Sequence, residues 1–364
     1  MPEPLRVSSL YTDVLEAQRA ALIDALTPAV TPELAAAAQR ESARLSVRLD
    51  ASPLADATAD AVDRGEAPVT AAPAQRNGGG WATALRLDGM PTQDIAAVEY
   101  RGVLAAQAAE AALAGAFFAD PVGTLGALQR HIAAGLVDDH RLGALRRTSR
   151  AVHDGAQGRA IFHAPAPDRL PVLLAELDAW LRDALGRHAP LEIAGVVHAA
   201  VLHLRPFEAG NGRVARAASR VALRASAGDP WGLAVPERVY VQDPLRYVTE
   251  VAATIRRRTD LRPWNERTGE AIVDSLEATA RELAAPAPAV EARTLHTCAE
   301  LRPGDTVTVP ELAGPGGLAR AEALRQANLL CWRGMLRRDH GTHGLRYTRS
   351  PAEVSHRAGG DNGT

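Results

Sequence analysis

The residues able to do chemistry crowd into one run, from His203 to Arg216. Within it Gly210, Asn211, Gly212 and Arg213 lead into a segment rich in Ala, Val and Arg. Glycines let a backbone approach a ligand closely, and asparagine tolerates left-handed conformations. The first N–H groups of a helix lack partners inside it and carry partial positive charge. A turn of this kind before a helix is therefore a ready anion site. Arg213 and Arg216 stand three apart and share one helical face beside it. Guanidinium forks match phosphate geometry, so the composite predicts a cradle for a di- or triphosphate. A G-x-G-R string before a helix is by itself more often an ordinary turn. Pro206 and Phe207 before it, and Arg216 after it, set this one apart.

The string P-F-x-x-G-N-G-R-x-x-R over Pro206–Arg216 resembles the signature of the Fic (filamentation induced by cAMP) family, H-P-F-x-[D/E]-G-N-G-R-x-x-R. The resemblance runs further. His198 occupies a place where Fic helices often carry histidine. Ala160–Trp180 looks like the family's flap and the helix after it, with Ile161, Phe162 and His163 in the flap. Val98–Leu104 resembles the start of the first long core helix. Ser46 to Ala51 is similar to the inhibitory motif [S/T]-x-x-x-E-[G/N] in its N-terminal-helix version. The likeness covers roughly residues 30–350, and the loop is its specific part.

The resemblance implies an enzyme that transfers a nucleoside monophosphate, most often AMP from ATP, to a protein hydroxyl. In that scheme the histidine before P-F is the general base, and the acid before G-N-G-R binds Mg²⁺. Gly210, Asn211, Gly212 and Arg213 hold the phosphates, and Arg216 positions the γ-phosphate. The inhibitory carboxylate, here Asp50 with Ser46, ties Arg216 up. Two positions depart from the pattern. Arg205 stands where the histidine should be, and a guanidinium is no base near neutral pH. Ala209 stands where the acid should be and offers a cation nothing, so Mg²⁺ is not expected there. Loss of general-base help alone costs roughly 10²–10⁴-fold. His203 precedes Arg205 by two residues, ~200° around a continuing helix, so it can serve as the base only if the chain leaves the helix early. Glu208 can reach the metal position only if the loop is shifted. Otherwise His203 is a part-buried or capping residue and Glu208 a solvated carboxylate. Asp50 is one methylene shorter than glutamate, so a gate on Arg216 competes with a plain surface carboxylate. Arg205 adds positive charge near the phosphates, which predicts a site less reliant on Mg²⁺.

These residues need a scaffold. The chain has 364 residues, 46% hydrophobic, enough for more than one domain. A net charge of −2 excludes an overall basic field. There is no lysine, which excludes Schiff-base chemistry and a Walker-type phosphate loop. Cys298 and Cys331 match neither a metal spacing nor a disulfide framework, so a reducing, cytoplasmic setting is expected. The N-terminus lacks a signal-peptide pattern, and no apolar run approaches the ~20 residues a bilayer requires, so no membrane partner is expected.

The fold class predicted is mainly α: a Fic-type helical bundle with a short β flap, plus a small C-terminal winged helix-turn-helix. Helices are expected from Thr31 to about Asp50 and near 92–117, 120–135, 169–187, 190–204, 210–227, 243–257 and 267–285. Residues 66–92 read as a long loop and 159–167 as the flap. A linker at 284–289 precedes a short helix, a strand at 306–310, a helix near 318–332 and a hairpin over 335–348. The domains read as 1–94, 95–285 and 286–351, with a disordered tail at 352–364. His153 and His163 bracket the flap. Asp138, Asp139 and His140 read as a solvated loop, so no metal site is expected.

Arg320, Arg325, Arg333, Arg337, Arg338 and Arg346 make the C-terminal part basic, as DNA contact would require. Leu324, Leu329, Leu330 and Trp332 make its main helix apolar, and Gly314–Gly317 lengthens its turn. Packing on the core or homodimerisation is the alternative. Three functions follow. The first is altered chemistry on ATP or another anionic small molecule, with Arg205 as an electrostatic catalyst. The second is a non-catalytic sensor acting on DNA or a protein. The third is AMP transfer to a protein target through His203 and a shifted Glu208.

Overall fold

A computed structural model describes residues 5–66, 92–153, 160–257, 259–313, 318–341 and 344–351. The long loop expected at 66–92, the tail at 352–364 and the glycine stretch at 314–317 lie wholly or almost wholly outside them. Helix starts follow local capping chemistry. Helix α1 (Leu10–Leu26) opens with a reciprocal capping box between Ser9 and Thr12, and the sequence reading gave it no separate place. Helix α2 (Pro32–Leu49) begins at Thr31, whose hydroxyl accepts from the Leu34 N–H, with proline in the first turn. After α3 (Asp56–Asp63), the long helix expected over 92–117 is two, α4 (Thr92–Ala108) and α5 (Glu110–Ala116). The break falls at Ala109, where ψ rises to −9°. Helix α6 (Pro121–Ala133) is capped by the Asp120 carboxylate on the Gly123 N–H.

The flap is a small antiparallel pair, β1 (Ala151–His153) and β2 (Ala160–His163), with Val152 opposite Phe162. Then come α7 (Leu170–Ala184), α8 (Pro190–Leu204), α9 (Asn211–Ala225), α10 (Glu237–Tyr240), α11 (Pro244–Arg257) and α12 (Arg262–Glu282). The last begins five residues before its expected start at 267. Pro263 suits the first turn of a helix, where its missing N–H costs nothing. Helices α8 and α9 form the most extensive helix pair. Their apolar residues, among them Ile193, Val197, Val201, Val214, Ala218 and Val221, fill the main core with Leu128, Ile132 and Trp264. A second cluster joins Ala43 and Val47 of α2, Val62 of α3, and Ala96, Tyr100 and Val103 of α4. Through it α2 packs against α4 and also reaches α9, which places Ser46 and Asp50 beside the glycine turn.

The chain divides into two compact units, Met1–Leu276 and Glu277–Thr364. The N-terminal helices belong to the first. The division falls inside α12, ahead of the proline-rich stretch at 284–289. The second unit carries α13 (Ala292–Glu300), β3 (Thr306–Val307), α14 (Val309–Ala313), α15 (Arg320–Trp332), β4 (Leu336–Gly341) and β5 (Gly344–Arg349). Its antiparallel sheet has the order β3-β5-β4. The strand expected at 306–310 stops after two residues because α14 takes over at Val309, with Pro310 in its first turn. Leu324, Leu329, Leu330 and Trp332 are all buried. Of the basic residues counted above, Arg338 is withdrawn from the surface. It makes a two-pronged ion pair with Glu277 at 2.8 and 3.0 Å. Among the described residues no helix is long and apolar enough to cross a membrane.

Inside the first unit, Arg220 of α9 pairs with Glu110 of α5 at 2.9 Å, with both side chains almost wholly buried. Removing one member strands a buried charge. Glu110→Ala is expected to cost about 3–5 kcal/mol of unfolding free energy in urea denaturation. Replacing both together, Glu110→Leu with Arg220→Met, should recover most of that loss.

Candidate functional site

Helix α8 ends at Leu204, and Arg205 turns the chain with φ 44° and ψ 59°, in the left-handed region. For a residue with a Cβ this costs roughly 1–2 kcal/mol. Its surroundings hold it there. The buried Arg146 donates to the carbonyls of Arg205 at 2.7 Å, Leu204 at 3.2 Å, Thr148 at 2.7 Å and Pro165 at 2.5 Å. The Arg146 N–H donates to the Pro206 carbonyl at 2.9 Å, and Leu145 bridges to Phe207. Arg146 thus fixes the chain around Arg205, its guanidinium on the Leu204 and Arg205 carbonyls and its backbone N–H on that of Pro206.

The next turn is pinned from within. The Phe207 N–H donates to Asn211 Oδ1 at 2.9 Å, and Asn211 Nδ2 donates to the Phe207 carbonyl at 2.8 Å. Gly210 sits at φ 76°, where a Cβ would also come within 2.9 Å of Ile132. Helix α9 starts directly after it, so its first N–H groups and Arg213 face the same space.

That space is a cleft of about 710 Å³. Arg150, Arg205, Arg213 and Arg216 line it together with Asp50 and Glu99, and Phe162, Leu202, Tyr247 and Val251 form its apolar wall. Asp50 bridges two of the arginines, Oδ1 to Arg216 NH2 at 3.0 Å and Oδ2 to Arg213 Nε at 3.2 Å. Arg216 also donates to the Ser46 hydroxyl and the Ser46 carbonyl, both at 2.7 Å. Burial alone would raise the Asp50 carboxyl, but Arg216 and then Arg213 hold it below the usual carboxylate range. Ala51, directly after it, lies at φ 60°, the backbone position for which glycine or asparagine is best suited.

Glu99 of α4, which the sequence reading missed, pairs with Arg213 NH2 at 3.1 Å. Its carboxyl is raised, first by burial and further by the Asp50 charge, against the pull of Arg213. A lone acid inside the buried apolar run Ile95–Tyr100 was the available signal. Arg205 Nε and Arg213 NH1 are buried without a hydrogen-bond acceptor. Such donors call for one.

The two candidate rescuers are placed differently. His203 is half-buried in the last turn of α8, is absent from the cleft lining, and is lowered in pKa by burial. Helix α8 continues through it, so the early exit that would have turned it inward does not occur. Glu208 does reach the cleft edge, but its carboxylate accepts from the Arg147 N–H at 3.0 Å, the Thr148 hydroxyl at 3.2 Å and Arg150 at 2.5 Å. It is therefore a bound carboxylate and not a solvated one. With Ala209 offering no donor and Glu208 held by those three groups, the loop does not fit a magnesium ion. Among the described residues no group of three or more metal-ligating side chains forms, Asp138, Asp139 and His140 included.

His198 lies under the cleft and not in its lining. It shares a 2.8 Å hydrogen bond with the Tyr247 hydroxyl and packs among Tyr240, Tyr247 and Trp264. Burial, then the Arg216 charge, pushes it down to about 3. It is a neutral structural histidine. In the flap, Val152 and Phe162 line the cleft, Ile161 is half-buried and His163 is exposed. The strand position of His153 is described but not its side chain.

Residues 122–223, from α6 through most of α9, match the model of the Fic/DOC family. A Fic family protein from Desulfovibrio desulfuricans G20 shares the fold with a TM-score of 0.61 and 20% identity, over 96% of this chain and 98% of that one. Fic-1 from C. elegans (residues 134–508) aligns with a TM-score of 0.51 and 16% identity, over 75% of this chain and 73% of that one. No curated protein matches the sequence. The chain thus carries a Fic/DOC-type domain on a mainly helical fold.

The depressed Asp50 carboxyl has a consequence for acid stability. Its folded pKa lies below the unfolded one, so its contribution is present above the unfolded value and lost as pH falls through the folded value. Asp50→Asn should therefore unfold at lower denaturant than the wild type at neutral pH. The gap should close as the pH is taken below about 4, the ordinary aspartate value. Equal midpoints at neutral pH would remove the stabilising role of the pair.

Proposed function

We propose that this domain binds a phosphorylated ligand, ATP or another anionic small molecule, in the cleft over Gly210–Arg216. Asp50 takes the place of one anionic group of that ligand until it is displaced. The observation that carries this reading is a single carboxylate shared by Arg213 and Arg216 at 3.2 and 3.0 Å. A phosphate oxygen pair would use the same two guanidiniums. The unpartnered Arg205 Nε and Arg213 NH1 supply further donors, and the N-terminus of α9 adds its own N–H groups.

The chemistry in this reading is not the usual Fic transfer. Arg205 takes the base's place and acts on the ligand as a fixed charge and hydrogen-bond donor. Charge neutralisation falls to Arg150, Arg205, Arg213 and Arg216, with no part for a metal at Ala209. A second reading keeps the binding and drops the turnover, making the domain a sensor. It is favoured by the absence of His203 from the cleft lining and by the engagement of Glu208 with Arg150.

Calorimetric titration with ATP tests the binding. Asp50→Ala is expected to tighten binding by about tenfold, some 1.4 kcal/mol, and Arg213→Ala to abolish it, with little effect of added magnesium. Unchanged affinity in Asp50→Ala would overturn the gate. Label transfer from α-labelled ATP then separates the chemistries. Wild type and Asp50→Ala should not label themselves, whereas the double variant Arg205→His/Ala209→Asp should. Self-labelling by the wild type that disappears in His203→Ala would restore AMP transfer.

A further inference from the structure

Residues 140–150 wrap around a second cavity, of about 440 Å³, between α6 and β1. Its polar lining includes His140, Arg141, Arg147, Thr148, Arg150 and Glu208. Ser149, Arg150 and Glu208 line this cavity and the anion cleft alike, so the Arg150–Glu208 ion pair at 2.5 Å is the wall between them. Only Ala144 and Leu145 are apolar here, and no aromatic ring is present to stack a base.

The chain already demonstrates what this rim holds. Glu208 places a carboxylate on it and receives a backbone N–H, a hydroxyl and a guanidinium, from Arg147, Thr148 and Arg150. Arg150 balances the Glu208 charge, which leaves the outer part of the cavity cationic. The nearest acid to Arg141 is Asp138, at 3.9 Å. The Arg147 side chain is exposed and is in no ion pair among the described residues. His140, Thr148 and Ser149 are exposed alongside it.

We propose that this cavity is a docking site for an acidic peptide segment. Its carboxylates would pair with Arg141 and Arg147, and its neighbouring residue would meet the Arg150 wall of the anion cleft. Arginines borne on one stretch of chain fit carboxylates carried along one peptide backbone, and the lining holds no aromatic ring for a base or other flat ligand. The proposal rests on the reading of the cleft as an anion site only in making this the second, separate ligand of the same domain.

Fluorescein-labelled hexaglutamate, titrated against the full chain and read by anisotropy, is the probe. Arg147→Glu is expected to weaken its binding by about tenfold, and Arg141→Glu/Arg147→Glu to abolish it, with thermal unfolding of Arg147→Glu unchanged because that side chain is exposed. Arg213→Ala should leave the peptide's affinity within about twofold, and saturating pyrophosphate should not displace the peptide, since each change of that size is well below 1 kcal/mol. Absence of binding, or binding indifferent to Arg141 and Arg147, overturns the proposal. Displacement by pyrophosphate together with loss in Arg213→Ala also overturns it, because the peptide then occupies the cleft and the anion reading stands. If pyrophosphate fails to bind while the Arg147-dependent peptide still does, the docking site stands and the cleft reading falls.

Discussion

One carboxylate between two guanidiniums organises this domain. Arg213 and Arg216 emerge from the first turns of α9, where they are almost fully buried. Two buried cations on one helical face repel each other and have lost most of their hydration, so the fold must supply an anion. Asp50 supplies it from α2, and Glu99 adds a second from α4. The packing of α2 against α4 and α9 is therefore electrostatic at its centre and hydrophobic around it, through Ala43, Val47, Ala96 and Tyr100. The same arrangement explains why carboxylates belong in a cleft lined by Arg150, Arg205, Arg213 and Arg216.

Arg205 also carries a structural load. It is held in the left-handed region while Arg146 gathers its carbonyl with those of Leu204, Thr148 and Pro165. A buried arginine bonded to carbonyls alone brings a positive charge with no acid directly on it. Arg146 thus adds to the field around the cleft without touching it. Burial lowers the pKa of both guanidiniums; the Asp50 charge opposes this at Arg205, and the Arg150 charge adds to it at both.

The glycine turn, the two arginines after it and the flap were legible in the sequence because each rests on neighbouring residues. Asn211 folds back on Phe207, and Gly210 must adopt a positive φ, so a string of a dozen residues encodes the loop by itself. Glu99, Arg146 and Arg150 were not legible. Their meaning comes from partners 114, 59 and 58 positions away, and no local pattern marks a residue whose role is set across the fold. The early start of α12 and the break at Ala109 were missed for a different reason, since propensity alone cannot place a boundary that packing decides. Glu208 looked solvated because the segment that binds it, 147–150, has no periodic signature.

Charges in this protein also differ in how much of their field the solvent can reach. Arg213 and Arg216 expose 7% and 2% of their side chains, and below them lies an uncharged floor of His198, Tyr240, Tyr247 and Trp264. Mobile ions damp fields over about 8 Å in physiological salt, but only where they can enter. The Asp50 ion pairs, in which the carboxylate itself is 27% exposed to the cleft, are therefore screened less than the exposed Arg147. A change in salt would alter what the outer rim attracts more than it would loosen the pairs inside the cleft.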